Sequence, residues 1–465
     1  MPKKGHMYEP SARPSGMILP GLLIVAGFSL ALFLNLPGQL SYDSVLQLLE
    51  GRTGIYNTWH PPVMAWLLGI GDALVPGAAL YVTFQSVLSF GTFLSLLAFR
   101  GPKPGWSALC FALALILLPQ LLLYQGIVWK DVLFADCGVA GFVCLAHVAR
   151  VWPSSPWRTA WGALALALLC VAALTRQNGL LLLPPAAAAC GWIVMRRTRS
   201  VRTGIIAGSA ALATAGFLVT LATSAVNLRS NGDSGPNEQV KLLELYDLSG
   251  AVAAEPGFPL SHLARSEPAL ERLIRSEGAH LYTPARVDPI ASSSALQTEL
   301  RNANVDALGA DWITLFTAHP LTYLTIRAQV FWWVLATPDI FQCRPLFVGV
   351  EGPPDALKVL GLSARRTAAD NRLQTYGLYL LNTPVFSHLA FAGMGLIAMA
   401  LLLRRRRAED IALAAMLVAV CAFAASFFVI SIACDYRYLY FLDLSALVAL
   451  FYLALDIRSA LKGSP

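Results

Sequence analysis

Long apolar runs alternate along the chain with short polar interruptions, and the length of each run decides how it is read. Residues 17–36 form an apolar stretch of about 20 residues, enough for a helix to cross a hydrocarbon core of roughly 30 Å. Comparable stretches recur near 78–99, 107–124, 128–149, 159–175, 180–195, 204–226, 377–403, 411–433 and 439–456. The pattern predicts ten spans with both termini on one side of the membrane. Two runs fit less well. Residues 61–76 follow the pair Pro61-Pro62, suited to a helix start, but the run is only about 16 residues long, which predicts an interfacial or re-entrant helix. Residues 320–336, with Trp332 and Trp333 paired, look like an eleventh span. Counting them would turn the run Arg404-Arg405-Arg406-Arg407 to the outer face, so parity makes them interfacial.

The polar region 227–376 is the main extramembrane feature. Leu recurs among charged residues at helical spacing over 238–247, 264–276 and 297–317, and Gly, Pro and Ser clusters at 231–236, 255–261, 283–294 and 351–354 separate these pieces. The chain therefore divides into an N-terminal module of about seven spans (1–226), a mostly helical cap (227–376) and a three-helix C-terminal module (377–465). The fold class expected is an all-α polytopic membrane protein with about ten transmembrane helices and juxtamembrane helices. No internal repeat relates the halves, which counts against an inverted-repeat transporter.

Composition agrees. Of the 465 residues, 56% are hydrophobic and 13% charged, which excludes an ordinary soluble enzyme, a disordered chain and a disulfide-rich secreted scaffold. The net charge of +7 would otherwise suggest nucleic acid, but its placement does not. With these spans, about 17 Lys/Arg and 4 acids lie in the cytoplasmic segments, including the short connections at 100–106, 150–158 and 196–202. Lys3, Lys4 and Arg13 at one terminus and Arg458 and Lys462 at the other give both termini a cytoplasmic placement. The sequence Asn35-Leu36-Pro37-Gly38-Gln39 is a poor cleavage site, so the first span is read as retained. No metal-type Cys/His spacing occurs; Cys110, Cys137, Cys144, Cys170, Cys190 and Cys421 lie in apolar runs as small hydrophobes. Cys343 and Cys434 both face outward, which allows a bridge, although separate thiols are the favoured reading.

Candidate chemistry gathers in the outward turns, within 37–77 and 124–131 and at two later points. Asp43, in Ser41-Tyr42-Asp43-Ser44-Val45-Leu46-Gln47, is a carboxylate just beyond a membrane helix, where desolvation can raise its pKa toward use as a general base. Capping of the following helix by Ser41 or Asp43 is the favoured reading on composition alone. Tyr124-Gln125-Gly126-Ile127-Val128-Trp129-Lys130-Asp131 opens a helix that also holds Asp136. Adjacent Lys130 and Asp131 point different ways, and Asp131 and Asp136 are offset by about 140°, so Asp131 is taken for chemistry and Asp136 for helix packing. Thr175-Arg176-Gln177-Asn178-Gly179 reads on its own as a tight turn. Cys434-Asp435-Tyr436-Arg437-Tyr438 places an Arg among aromatics, suited to phosphate recognition or, equally, to an aromatic belt with a snorkelling Arg. Taken together, Asp43, Asp131, Lys130, Arg176 and Arg437 at one mouth of a charge-poor bundle suit a lipid-linked anionic substrate.

This ordered set resembles the GT-C superfamily of polytopic glycosyltransferases, which includes the protein O-mannosyltransferases and lipid A aminoarabinose transferases. Asp43 follows the first span, His60-Pro61-Pro62 opens a juxtamembrane helix, Asp131 starts the fourth span and Arg437-Tyr438 begins the last. The turns Trp129-Lys130-Asp131 and 175–179 look like those of bacterial members. One departure is that the mannosyltransferases carry Asp-Glu at the first site, whereas Ser44 follows Asp43 here. The resemblance implies a sugar carried on a polyprenyl phosphate and transferred with inversion, on the periplasmic side of a bacterial inner membrane, to a glycan, lipid or protein acceptor. It implies Asp43 as the base, Arg437 with Lys130 or Arg176 on the donor phosphate, and Asp131 orienting the acceptor or, with Asp43, holding a divalent cation. Tyr42, Gln47, Trp59, His60, Trp129, Asn178 and Tyr438 are the substrate contacts it suggests. Membrane lipids are expected partners and nucleic acid is not. A lipid-linked-sugar flippase, and an O-antigen-type ligase or polymerase with a diphosphate donor, are the competing readings.

Overall fold

Most of the long apolar runs form single helices in the computed structural model, which describes residues 15–57, 59–100, 106–152, 154–227, 235–303 and 305–456. Lys3, Lys4, Arg13, Arg458, Lys462 and most of the 100–106 and 231–236 segments lie outside the described residues. Among the described residues there is no strand, and nine helices are long and apolar enough to cross a membrane. The pair Trp106–Leu117 and Pro119–Gly126 makes a tenth crossing if its two arms are counted as one. The protein is an all-helical, multi-pass membrane protein.

Proline and capping residues place breaks that hydropathy alone does not. The run 107–124 bends by 57° where Leu118, extended at ψ 131°, precedes Pro119. A residue before proline is pushed out of the helical region, and proline offers no N–H to continue the ladder. The run 377–403 is likewise not one helix. Ala368–Leu380 stops, a short turn follows at Pro384–Phe386, and the span proper is His388–Arg405, capped by the Ser387 hydroxyl on the Ala390 N–H.

The helix Lys130–Arg150 is the axis of the bundle: it is largely apolar and buried from Asp131 to Ala149, as that pattern requires. It packs against Ser155–Thr175, Ala408–Ile430 and Tyr440–Ala454. A Cβ at Gly141 would lie 2.7 Å from the Leu169 side chain, so glycine there permits the closest of these contacts. The short helix Val63–Leu74 spans about 18 Å at 1.5 Å per residue, too little to cross. It lies instead against Tyr42–Thr53, where Gly51 and Gly69 bring the two backbones together, and Arg52 locks the pair through Asp72 (Nε–Oδ2 2.7 Å).

A second apolar core forms within the 235–336 segment, from Gly235–Ala254, Val305–Ala318, Pro320–Ala336 and short helices between them. Asp247 joins it by accepting from Arg327 and from the Trp312 indole (2.8 Å). Burial pushes the Asp247 carboxyl above its ordinary value despite Arg327 beside it. Residues 340–373 instead contribute Ile340, Val350, Leu357 and Leu373 to the core of the bundle. Cys343 and Cys434 are bonded, with Cα atoms 4.9 Å apart across 91 residues of sequence, which corrects the expectation of separate thiols. The physical reason is proximity: the Tyr436 N–H donates to the Cys343 carbonyl (2.7 Å) and the Cys434 N–H to the Ala285 carbonyl (2.9 Å), so the two segments already touch.

Candidate active site

The four polar turns converge at one end of the bundle. Asp43 sits in the first turn of Tyr42–Thr53, where the helix N-terminus favours an anion. Ser41 occupies the cap position but makes no side-chain cap bond; its hydroxyl accepts from the Trp129 indole (3.0 Å). Asp43 does not cap either. Its carboxylate accepts from Arg437 Nη2 at 3.1 Å and lies 4.0 Å from His60 Nε2. Lys130 Nζ is 2.9 Å from His60 Nδ1. An ammonium only donates, so Nδ1 is the acceptor, and the imidazole proton sits on Nε2, toward Asp43.

Arg437 is the hub. Besides Asp43 it faces Asp435 (Nη2–Oδ2 3.2 Å) and Asp131 (Nε–Oδ2 3.6 Å), and its guanidinium lies 5.0 Å above the Trp129 ring. Asp131 is buried at the start of the central helix and is paired also with Arg176. Arg176 is enclosed by the rings of Phe423, Phe427 and Tyr438 at 5.3–5.5 Å. Its Nε donates to Asn178, which in turn donates to Ser426 (2.8 Å). The turn 175–179 is therefore a bracket for Asp131, a role its local sequence does not disclose.

Electrostatics correct one expectation. Burial does push the Asp43 carboxyl up, but the charge and hydrogen bond of the Arg437 guanidinium lead the interactions that outweigh it and hold the group below its ordinary 3.8. His60 is pushed down to about 3, first by burial and then by Lys130, so it is neutral and adds no charge of its own. In this state Asp43 is an ionised partner of Arg437. Its strength as a base depends on what else occupies that arginine.

A cavity of about 540 Å³ opens over these groups. Part of its lining is polar or ionic, with Tyr42, Asp43, Arg344, Asp435 and Arg437; the rest is apolar, with Phe341, Leu346, Phe347, Leu378 and Leu381. Leu378 and Leu381 lie at the end of Ala368–Leu380, which leads into the span His388–Arg405. Trp129 lines the cavity, whereas Trp59 lines a separate cleft and Gln47 is buried away from both. Tyr438 stacks on Phe427 beside Arg176.

Several contributors escaped the sequence reading. Asp435 stands two residues before Arg437, visible in the same turn. Arg286, which holds Asp435 at 2.7 Å, and Arg344, which reaches Asp288 at 3.2 Å, come from distant segments with no local signal. Beneath the turn, His388 contacts Asp443 (Nδ1–Oδ1 2.8 Å) and the Tyr436 carbonyl (Nε2–O 3.1 Å), and the Tyr436 hydroxyl donates to Asp443 (2.8 Å). These contacts fix the backbone that carries Arg437.

The donor set does not suit a divalent cation. Asp43 and Asp131, the two carboxylates considered for one, both face arginines, and among the described residues no three His, Cys, Asp or Glu side chains group as a metal site.

No protein-family model matches the chain, and no curated protein matches it. Two solved structures are similar. The apo crystal structure of the Archaeoglobus fulgidus oligosaccharyltransferase is 14% identical, with a TM-score of 0.43, over 95% of this chain and 52% of that one. The archaeal oligosaccharyltransferase of the same organism, in complex with an inhibitory peptide and a dolichol-phosphate, is 12% identical, with a TM-score of 0.42, over 96% and 51%. The chain thus spans about half the length of these two proteins.

Proposed function

We propose that this protein is an integral membrane glycosyltransferase that moves a sugar from a polyprenyl-phosphate donor to a periplasmic or lipid-linked acceptor, with inversion at the anomeric carbon. The observation that carries the reading is the cavity in which Asp43 and Arg437, the latter backed by the buried Asp131–Arg176 pair, meet an apolar wall that includes Leu378 and Leu381. A phosphate with a sugar on one side and a long hydrocarbon on the other matches that division of polarity. The reading places this end at the periplasmic face of a bacterial inner membrane, and the basic loops at the other end support that orientation.

Arg437 is the phosphate ligand in this reading. Its planar fork suits two phosphate oxygens, and a phosphate that engages it takes it from Asp43. Loss of that partner lets burial raise the Asp43 pKa, so the carboxylate becomes a stronger base as the donor binds. Asp43 then accepts the proton of the acceptor hydroxyl, whose oxygen forms a bond to the anomeric carbon. The bond from that carbon to the phosphate oxygen breaks, and polyprenyl phosphate leaves with its added charge stabilised by Arg437. Lys130, through His60, keeps the imidazole N–H directed at Asp43. Asp131 holds Arg176 and Arg437 in register.

The broken span Trp106–Gly126 favours a flippase. Against it, the buried acids Asp136 and Asp443 are hydrogen-bonded to Gln125 and His388 inside the bundle rather than exposed to a pathway. The reading is tested by binding of purified protein to fluorescent polyprenyl-phosphate sugar, polyprenyl-diphosphate sugar and free polyprenol. Preference for the monophosphate, weakened at least tenfold by Arg437→Gln, is the expected result. Preference for the diphosphate supports the ligase reading, and binding indifferent to Arg437→Gln removes the assignment.

A further inference from the structure

A second cleft, of about 510 Å³, is lined by Trp59 together with residues of the helices Gly235–Ala254 and Ser294–Asn302. Its polar lining is Glu238, Lys241, Gln297 and Arg301, and Trp59 supplies its aromatic ring. The geometry points to this cleft as the binding site of a saccharide acceptor. The inference rests on the transferase reading for the word acceptor, but not for the saccharide.

The cleft is constructed rather than incidental. The Trp59 N–H donates to the Asn57 side chain (2.8 Å), and the Trp59 carbonyl accepts from Gln239. Gln239 also accepts from Gln177 (2.6 Å), the neighbour of Arg176. The turn carrying Trp59 is thereby tied both to the second core and to the bracket around Asp131. Leu242 and Leu300 line the cleft and belong to that core, so the polar groups stand on a packed base.

Its chemistry fits a sugar. The indole of Trp59 is exposed and offers a flat apolar face to the C–H face of a pyranose. Gln297 Nε2 is buried with no hydrogen-bond partner among the described residues, a donor left for a ligand hydroxyl. Lys241 and Arg301 line the cleft beside Glu238 and offer donors to ring or substituent oxygens. A peptide would want a free strand edge or a row of apolar pockets, and a lipid an apolar wall; the cleft has none of these.

Position completes the argument. Trp59 adjoins His60, whose Nε2 lies 4.0 Å from Asp43. A sugar seated on Trp59 can extend a hydroxyl past His60 to Asp43, while the donor approaches the same carboxylate from the ionic cavity. The two substrates would meet there without sharing an access route.

The test is saccharide binding by the full chain in nanodiscs, without donor, using saturation-transfer NMR. The probes are maltotetraose, chitotetraose, tetragalacturonate and a random dodecapeptide pool. At least one saccharide is expected to bind, at least tenfold more weakly to Trp59→Ala, with most affinity retained by Trp59→Phe and a clear loss in Arg301→Ala. Absence of saccharide binding, binding untouched by Trp59→Ala and Arg301→Ala, or preference for the peptides overturns the proposal. Transfer is scored separately. Saccharide binding with no transfer from polyprenyl-phosphate sugars keeps the cleft and removes the transferase reading; transfer with no saccharide bound does the reverse.

Discussion

Arg437 faces three carboxylates and one indole, and each contact depends on the planar reach of a guanidinium. A lysine keeps the charge but not the fork. Arg437→Lys is therefore expected to lower transfer by about 10²-fold or more while leaving the thermal transition of the protein within a few degrees, read by paired activity and unfolding assays. The same contacts set a pH dependence. The Asp43 carboxyl lies below 3.8 before donor binds, so kcat/KM should be flat from pH 5 to 7 on its acid side. The acid limb of kcat at saturating donor should move upward, because the phosphate has then taken Arg437 from Asp43. His60 acts on stability. Its pKa in the fold, about 3, is below the ordinary 6.5, so the unfolded chain binds the extra proton first. Stability should fall as pH drops from 6.5 toward 3, and His60→Gln should flatten that slope.

The turn 431–439 is the element that makes the site, and it is held from three directions. The disulfide to Cys343 ties it to the wall of the cavity, Arg286 holds Asp435, and the buried His388–Asp443 pair grips Tyr436. Closing a loop of 91 residues limits the unfolded chain by about 4–5 kcal/mol in the chain-entropy account. Cys343→Ser with Cys434→Ser should therefore lower the melting temperature and reduce transfer, both measurable against the oxidised protein. His388→Gln tests positioning more narrowly: a lower kcat with little change in donor KM is expected, since the residue touches backbone and not substrate. Much of this element was open to the sequence reading, because ionisable residues between apolar runs stand out. What it could not reach were partners without local pattern: Arg286 is 149 residues from Asp435, and His388 is 55 from Asp443. Asp435 itself was in plain view, overshadowed by its neighbour Arg437. The breaks at Leu118-Pro119 and before Pro384 were also visible, but averaging hydropathy over a span hides a single residue that cannot continue a helix.

At the scale of the whole molecule, membrane helices supply a rigid frame, and the polar segment over them supplies a second core. The span count was legible because hydrocarbon thickness fixes how long an apolar run must be. The cavities were not, since each is built from segments far apart in sequence: Asp43 with Arg344 and Leu381 in one, Trp59 with Lys241 and Arg301 in the other. One cavity joins ions to an apolar wall and the other sets charged and amide side chains beside one aromatic ring and two leucines, a difference that suits two chemically unlike substrates brought to one carboxylate. That carboxylate is the point on which the account turns. The most direct measurement is sugar transfer from labelled polyprenyl-phosphate sugars in membranes, comparing the wild-type protein with Asp43→Asn, which preserves shape and removes basicity. The account predicts transfer by the wild type and a loss of about 10²–10⁴-fold in the variant at equal folded protein. Transfer undiminished in Asp43→Asn would contradict it and send the search for the base to Asp131.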